Sequence, residues 1–505
     1  MSAKKQQFAQ EDILGYECRH VTYCPPPEPG MPDVHFIKRV MHVKDGDTVR
    51  RIPQVVAKKD FERKFWIEQP GQQNHREKRE FADKDKLIEV VTTESKLVDT
   101  VRSKLRSLTD RAIKKFGLPW PSDRDDLRKL ARSPYLYGTD VSSTTLVKKL
   151  YQDMYPDLRS ASTVAATDTE TNMFSKEEEI IMQSITMGSR VFTAVKRSFF
   201  KDHNDVEARL RECFNRRLKD DIQVRKLQWE LVFVDTAGQI VVEVMKKAHE
   251  WKPDFLAIWN IKFDMEKMLQ ALKADGIDPA TVFSDPQVVA AGYHHFNFKI
   301  GPKQKTTASG VHKPLGFHEQ WHVVTCPASF YFIDAMCVYL QVRTGQQQEP
   351  SYSLDALMEK HVKRNKLKLE EADGLKEKDW HVFMQEFYKY DYVIYNIFDC
   401  IGMEILDEET GDLNLNFPLY SGPSDYAIFP SQPRKLCNKL FFHLLKEDRV
   451  LASTSDTMRV DHDDLTVIGK GWITMLPAHL VMDNGLKLMQ EIHNVPSNIR
   501  VGVGD

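Results

Sequence analysis

Four carboxylates in three short segments are the residues of this chain best suited to chemistry. They are Asp168 and Glu170 in TDTET, Asp264 in WNIKFD and Asp399 in YNIFD. Two divalent cations about 4 Å apart can activate a water and stabilise the leaving oxygen of an in-line phosphoryl displacement. Because Mg²⁺ prefers oxygen ligands and keeps several waters, a few carboxylates suffice to hold it. The set therefore predicts a site for two divalent cations acting on a phosphodiester.

The first segment has the pattern of a buried strand. The apolar run Val164-Ala165-Ala166 before it is typical of a central strand. Residues two apart on a strand point to the same face, so Asp168 and Glu170 can reach one cation. Two β-prone runs follow, QSITMGS and RVFTAVKRSF, and predict a hairpin. The succession of strands and helices from 160 to 410 predicts an α/β layer with a mixed sheet.

The second and third segments each pair a polar residue with an acid four residues later. Tyr395 and Asp399 lie in a stretch with helical apolar spacing, so that both face one side of a predicted helix. Asn260 and Asp264 have the same spacing, directly after the apolar run FLAIW. A single acid of this kind is most often an ordinary surface carboxylate. The prediction therefore depends on the ordered set.

In this order and context the segments resemble the proofreading exonuclease of family B DNA polymerases, a member of the DnaQ-like (DEDD) superfamily. The motifs are TDTETN, Asn-x-x-x-Asp after the run KPDFL, and Tyr-x-x-x-Asp. The histidine variant of the superfamily needs a His five residues before the last Asp, where this chain has Ile394, so the resemblance is to the tyrosine variant. FIDAMCVYL and PSYSLDAL also resemble the family, and the similarity is greatest to polymerases of T-even-type bacteriophages.

The resemblance implies a 3′→5′ exodeoxyribonuclease with an RNase H-like (DnaQ-like) α/β fold and a mixed central sheet. Asp168, Glu170 and Asp399 would ligate the catalytic Mg²⁺. Asp168 would also face a second Mg²⁺, which Asp264 reaches directly or through water, and Mn²⁺ would substitute for Mg²⁺. Tyr395 would orient the attacking water.

The same resemblance implies DNA as the partner, as a single-stranded primer 3′ end or a primer–template. Asn260 of the second motif and the neighbouring Phe263 would contact the DNA, with Phe263 near the frayed primer end, where an aromatic ring can stack on a base. A palm-containing polymerase segment or subunit would be a further partner. The resemblance also allows a sliding clamp as a partner.

Residues 291–325 combine turn signals, β-prone residues and several lysines. Gly301-Pro302 and Ser309-Gly310 are turn signals between β-prone residues, so a hairpin is predicted. Its basic residues are Lys299, Lys303, Lys305 and Lys313. Two interpretations stay open. A hairpin between these motifs helps to separate primer from template in the resembling polymerases, and the segment is equally a surface loop peculiar to this chain.

Bulk composition is that of an ordinary globular protein. The 505 residues, 41% hydrophobic and 29% charged, predict two to four domains. No stretch approaches the ~20 apolar residues that span a membrane. Seven cysteines without a C-x-x-C pair indicate free thiols in a reducing cytoplasm, which is the host bacterial cytoplasm if the chain is phage-encoded. The net charge of -2 gives no global attraction for DNA, so local basic patches are expected to bind it.

Three regions are expected along the chain. Residues 1–160 would form a β-rich N-terminal polymerase-type domain, in which HFIKRVMHV and RRIPQVV are predicted strands. Residues 161–410 would form the exonuclease, and 411–505 would return to the N-terminal domain and approach the palm. The palm signatures of family B polymerases are absent from the sequence. The chain alone is therefore not expected to extend a primer, whether it has been shortened or the polymerase is encoded as two polypeptides.

Two further motif matches are given other interpretations. His318 and His322 satisfy the zinc-peptidase string H-E-x-x-H, but a strand is predicted there, on which their Cα atoms would lie ~13 Å apart. The segment DTAGQ at 235–239 matches a GTPase switch motif without the phosphate-binding loop that such a site needs, and is predicted to be a turn between strands LVFV and IVVEV.

Two other functions stay open beside the proofreading exonuclease. The first is a stand-alone DEDD nuclease that acts on RNA or on repair DNA. The second is the non-catalytic, DNA-binding half of a split polymerase. Comparing RNA with DNA substrates distinguishes the first, and the presence of all four acids disfavours the second.

Overall fold

The structure is a computed structural model that describes residues 10–107, 115–118, 120–306, 311–343, 349–364, 367, 370–372, 374–375, 377–416, 426–457, 473–476 and 479–482. The predicted Ser309-Gly310 turn and most of the expected approach to the palm lie outside these residues.

The secondary structure alternates between strands and helices along most of the chain. The strands are β1 (Ile13–Cys24), β2 (Val34–Asp45), β3 (Thr48–Lys59), β4 (Glu62–Glu68), β5 (Phe81–Asp83), β6 (Leu87–Thr93), β7 (Leu136–Tyr137), β8 (Val164–Thr171), β9 (Ile180–Met187), β10 (Arg190–Lys196), β11 (Gln228–Val234), β12 (Phe255–Ile258), β13 (Asn297–Lys299), β14 (Gln304–Thr306), β15 (His312–Pro314), β16 (Val323–Thr325), β17 (Tyr331–Asp334), β18 (Arg449–Leu451), β19 (Ile473–Leu476) and β20 (His479–Met482). The α-helices are α1 (Leu97–Ser107), α2 (Leu127–Leu130), α3 (Ser143–Met154), α4 (Val206–Arg217), α5 (Lys219–Arg225), α6 (Ala237–Trp251), α7 (Ile261–Ala274), α8 (Pro279–Phe283), α9 (Ala335–Val342), α10 (Leu354–Val362), α11 (Glu377–Phe387), α12 (Lys389–Thr410) and α13 (Gln432–Lys446).

The chain divides into two compact units. Unit 1 joins Met1–Phe61 to Ser142–Lys439, and unit 2 joins Glu62–Val141 to Leu440–Asp505. Unit 1 contains the antiparallel β1-β2-β3 sheet, a larger sheet and all four predicted acids, while unit 2 contains the β6-β4-β7 sheet. The expected domain boundaries near residues 160 and 410 are inferred from the family resemblance, whereas the two units are defined by their compactness. The expected boundaries therefore stay a prediction.

The larger sheet of unit 1 is mixed and places the first motif near its centre. Among the described residues it has six strands in the order β11-β10-β9-β8-β12-β17. β8 is antiparallel to β9 and parallel to β12. Ala165 and Ala166 on β8 are fully buried in two different hydrophobic clusters, so apolar side chains cover both faces of the strand. The predicted central strand, the β9-β10 hairpin and the α/β class with a mixed sheet are confirmed.

Helix α12 carries the third motif and is buried along most of its length. It packs against β8, β9, α4 and α10. Gly402 permits the close approach of α10, because a Cβ at this position would lie 2.6 Å from the Met358 sulfur. The helix ends at Gly411, which has φ of +65° and donates its N–H to the Asp407 carbonyl. The predicted helix around Tyr395 and Asp399 is confirmed.

Two local predictions are wrong. IVVEV lies in helix α6 rather than in a strand, because the Thr236 side chain and Gln239 form a capping box that starts a helix there. Burial against the sheet then outweighs the strand preference of its β-branched residues. The segment around His318 is a 3₁₀ turn over Phe317–Glu319, and the strand begins only at Val323.

Among the described residues, no helix combines the length and the apolar character that crossing a membrane requires. The seven cysteines are all free thiols.

Candidate metal centre

The structure brings three of the four predicted acids together. Asp168 and Glu170 come from β8 and Asp399 from α12, and one ligand atom from each lies within 4.8 Å of the other two. Glu170 and Asp399 are each only 6% exposed. Three carboxylates this close repel one another unless a cation or protons compensate their charge. The donors are all oxygen atoms, as Mg²⁺ and Mn²⁺ prefer, so the residues fit a divalent cation.

Asp264 lies beside this cluster and is held by the first motif. Its Oδ1 accepts hydrogen bonds from the Thr169 backbone N–H at 3.2 Å and from the Thr169 hydroxyl at 2.5 Å. Burial raises the pKa of Asp264 to about 6. Asn260 immediately precedes α7, and its carbonyl accepts the Asp264 N–H at 3.4 Å. The role of Asp264 at a second cation, direct or through water, stays a prediction.

Tyr395 lies within the electrostatic field of the cluster. It is 9% exposed and its hydroxyl is hydrogen bonded to Asp399. Burial, and then the charges of Asp399, Glu170 and Asp168, raise the pKa of Tyr395 well above its usual range. The hydroxyl therefore keeps its proton at neutral pH and is available as a hydrogen-bond donor at the cluster.

Two further residues of α12 contact the clustered acids, and sequence analysis missed both. The Tyr392 hydroxyl donates to Glu170 Oε2. The Asn396 amide donates to Asp168 Oδ2 at 2.8 Å and to the Asp168 carbonyl at 3.2 Å. Tyr392 lies three residues before Tyr395, and Asn396 lies three residues before Asp399. Each is therefore on the same side of the helix as a predicted site residue. That i, i+3 spacing is the signal that could have identified them.

Helix α11 contributes His381 and Gln385, for which the sequence offers no such signal. His381 Nδ1 lies 2.8 Å from the Tyr392 hydroxyl. The Gln385 amide donates to the Thr171 carbonyl at the end of β8 at 2.7 Å. Both residues come from a separate helix outside the three motifs, and only packing brings them to the site.

Of the predicted DNA-contacting residues, Asn260 is half-buried, whereas Phe263 and the lysines of segment 291–325 are exposed. Phe263, next to Asp264, is 43% exposed. In the segment 291–325, β13 pairs with β16 and β14 with β15, both antiparallel. Its exposed basic residues are Lys299, Lys303, Lys305 and Lys313. The predicted β-structure of this segment is confirmed, whereas its contact with DNA stays a prediction.

The two histidines of the H-E-x-x-H string have separate surroundings. His322 is buried and its Nδ1 accepts the Gly301 N–H at 3.0 Å. The His318 ring stacks on Tyr352 with 4.3 Å between ring centroids. Their environments are those of structural side chains.

Neither a family model nor a curated sequence identifies a relative of this chain. No protein-family model matches the chain. No curated protein matches its sequence significantly. A function is therefore inferred from the geometry of the three carboxylates and of the residues that hold them.

Proposed function

We propose that this chain is the 3′→5′ proofreading exonuclease portion of a family B DNA polymerase, with an RNase H-like fold. The observation that carries the proposal is the convergence of Asp168, Glu170 and Asp399 from β8 and α12 within 4.8 Å. The order of the three motifs and the mixed sheet around β8 support it. The substrate would be a single-stranded primer 3′ end in DNA.

In the proposed reaction the site residues would have different roles. Asp168, Glu170 and Asp399 would hold Mg²⁺ or Mn²⁺, with Asp264 assisting at a second ion. The bound cations would supply charge stabilisation for an in-line displacement at phosphorus. The protonated Tyr395 hydroxyl, next to Asp399, would orient the attacking water. Phe263 would stack on a base of the frayed end.

Degradation of labelled oligonucleotides tests this proposal. With Mg²⁺, a 5′-labelled single-stranded DNA is expected to give a ladder of progressively shorter products, and EDTA is expected to abolish it. Faster degradation of a matched RNA would favour the stand-alone nuclease instead. Binding of DNA without cleavage, in folded protein supplied with Mg²⁺ or Mn²⁺, would favour the non-catalytic half of a split polymerase.

Tyr395→Phe is expected to slow hydrolysis by about 10- to 100-fold, the range found for residues that orient metal-site chemistry. The loss is smaller than for the clustered acids because the hydroxyl orients a water and holds no charge. Single-turnover rates at saturating Mg²⁺ measure the effect. An unchanged rate would remove Tyr395 from the mechanism.

The basic segment is expected to contact the phosphate backbone. Lys305 lies directly opposite Lys313 across β14 and β15, a like-charge pairing that an anionic partner would relieve. Replacing Lys299, Lys303 and Lys305 by serine should lower the salt dependence of single-stranded DNA binding. The slope of log K against log salt should fall by about 0.7 per lost contact.

The matched control carries the same change at three exposed lysines of other elements, Lys219, Lys226 and Lys246. Fluorescence anisotropy at several salt concentrations gives both slopes. Equal slopes in the two variants would support the interpretation of the segment as a surface loop peculiar to this chain.

A further inference from the structure

Glu170 is hydrogen bonded to Tyr392, whose hydroxyl also contacts His381 and Gln385. The Tyr392 hydroxyl donates to Glu170 Oε2 and is completely buried. His381 Nδ1 lies 2.8 Å from the Tyr392 oxygen and 3.5 Å from Glu170 Oε2. Gln385 Nε2 lies 3.3 Å from the same tyrosine oxygen. One buried hydroxyl is thus shared by three polar partners.

The chemistry of these groups fixes the direction of the hydrogen bonds. A tyrosine hydroxyl has one proton, and an ionised carboxylate can only accept. When Glu170 is ionised, as a metal ligand is, the proton of Tyr392 therefore points to Glu170, and the tyrosine oxygen must accept from its other partners. It follows that His381 carries a proton on Nδ1 and that the Gln385 amide donates.

The far end of this chain of hydrogen bonds is anchored to the backbone. Gln385 donates to the Thr171 carbonyl at 2.7 Å, and its Oε1 accepts the Met173 N–H at 3.0 Å. Thr171 is the residue after Glu170 on β8. The Tyr392 ring also lies parallel to the Tyr395 ring, with 6.2 Å between centroids. The hydroxyl is therefore held in place relative to the strand that carries Glu170.

We propose that Tyr392, held by His381, is a positioning residue that orients the Glu170 carboxylate for binding a divalent cation. The inference rests on the proposed function, because it needs Glu170 to be a metal ligand. Residues that orient metal ligands in this way typically change metal affinity when they are replaced. Tyr392 would act through Glu170 and would not itself be a metal ligand.

Titration calorimetry with Mn²⁺ alone tests the proposal without relying on activity. Tyr392→Phe keeps the ring and removes only the hydroxyl, and is expected to weaken Mn²⁺ binding by about 10-fold. His381→Phe removes the Nδ1 donor and is expected to weaken it in the same direction. His381→Asn places an amide donor near the Nδ1 position and is expected to restore most of the affinity.

Helix α12 supplies a matched control two residues away. The Tyr390 hydroxyl lies 3.0 Å from Nδ1 of another histidine, His203. Tyr390→Phe therefore removes a comparable tyrosine–histidine contact outside the acidic cluster, and should leave Mn²⁺ affinity unchanged. Thermal melts of all variants show whether each is folded.

The outcomes separate this inference from the proposed function. Unchanged Mn²⁺ affinity in Tyr392→Phe, with wild-type protein that binds Mn²⁺ and cleaves DNA, would overturn the inference alone. Weakened Mn²⁺ binding in protein that never cleaves DNA would support it and overturn the nuclease. Absence of Mn²⁺ binding by the folded wild-type protein would overturn both, since Glu170 would then be no ligand.

A second readout is the Mg²⁺ dependence of cleavage. Tyr392→Phe should raise the Mg²⁺ concentration needed for half-maximal rate by about 10-fold, and saturating Mg²⁺ should restore most of the wild-type rate. A purely structural role would lower the melting temperature without this shift. A loss of rate that Mg²⁺ does not restore would count against positioning for metal binding.

Discussion

Replacing Asp168 and Glu170 together by alanine is expected to abolish hydrolysis of single-stranded DNA in a chain that still folds. Charge stabilisation by the cations is worth several kcal/mol in such a reaction. Since ~1.4 kcal/mol corresponds to a tenfold change in rate, we expect a loss of at least about 10³-fold. The time course of a 5′-labelled oligonucleotide measures it.

Thermal stability provides an independent readout of the same variant. A ligand that binds only the folded state stabilises it, so Mg²⁺ should raise the melting temperature of the wild-type protein. The double variant should melt at the same temperature with and without Mg²⁺. In the absence of metal, relief of the repulsion between the carboxylates should offset part of the stability that is lost with the Tyr392 and Asn396 hydrogen bonds, and the melt shows that the variant folds.

Glu207→Gln is the matched control, since this acid is exposed on α4 and pairs with Arg211. It should change neither the rate nor the response to Mg²⁺. Residual cleavage of the double variant at more than a few per cent of wild type would show that the three carboxylates are not the catalytic centre.

Lys38→Met is expected to destabilise unit 1 by about 3–5 kcal/mol, the cost of breaking a buried, fully hydrogen-bonded charge. Lys38 lies on β2 and has no solvent exposure. Its ammonium donates to the carbonyls of Lys252, Pro253 and Ser329 at 2.6, 2.9 and 2.7 Å. It also lies 3.8 Å from the Asp254 carboxylate. The methionine would leave these carbonyls, two of them in buried contacts, without the lysine as a donor.

Urea unfolding followed by tryptophan fluorescence measures this loss. Lys44→Met is the matched control, because Lys44 lies on the same strand and is exposed. It should alter the free energy of unfolding by less than about 0.5 kcal/mol. Equal stabilities of the two variants would mean that water replaces the lysine as donor to these carbonyls.

Much of the candidate site could be predicted because local geometry fixes where side chains point. Alternation along β8 puts Asp168 and Glu170 on one face, and the helical repeat of α12 puts Tyr395 and Asp399 on one side. One helical turn before Tyr395, the same repeat reaches Tyr392, which could therefore be identified without knowing the fold.

Strand propensity failed where helix capping and packing in the core decided the conformation. The β-branched run IVVEV favours a strand on its own, yet the capping box and burial in the core place it in helix α6. His381 and Gln385 belong to none of the motifs. They reach the site only because α11 packs against α12.

By itself the sequence determined which acids are candidates, their order and the elements that carry them. The strand and the helix could be predicted because their side chains repeat with periods of two and 3.6 residues. Only the tertiary structure decided that Asp168, Glu170 and Asp399 form the cluster while Asp264 is bound by Thr169. The physical reason is that these distances follow from how buried apolar faces pack across the sheet, and local periodicity does not encode that packing.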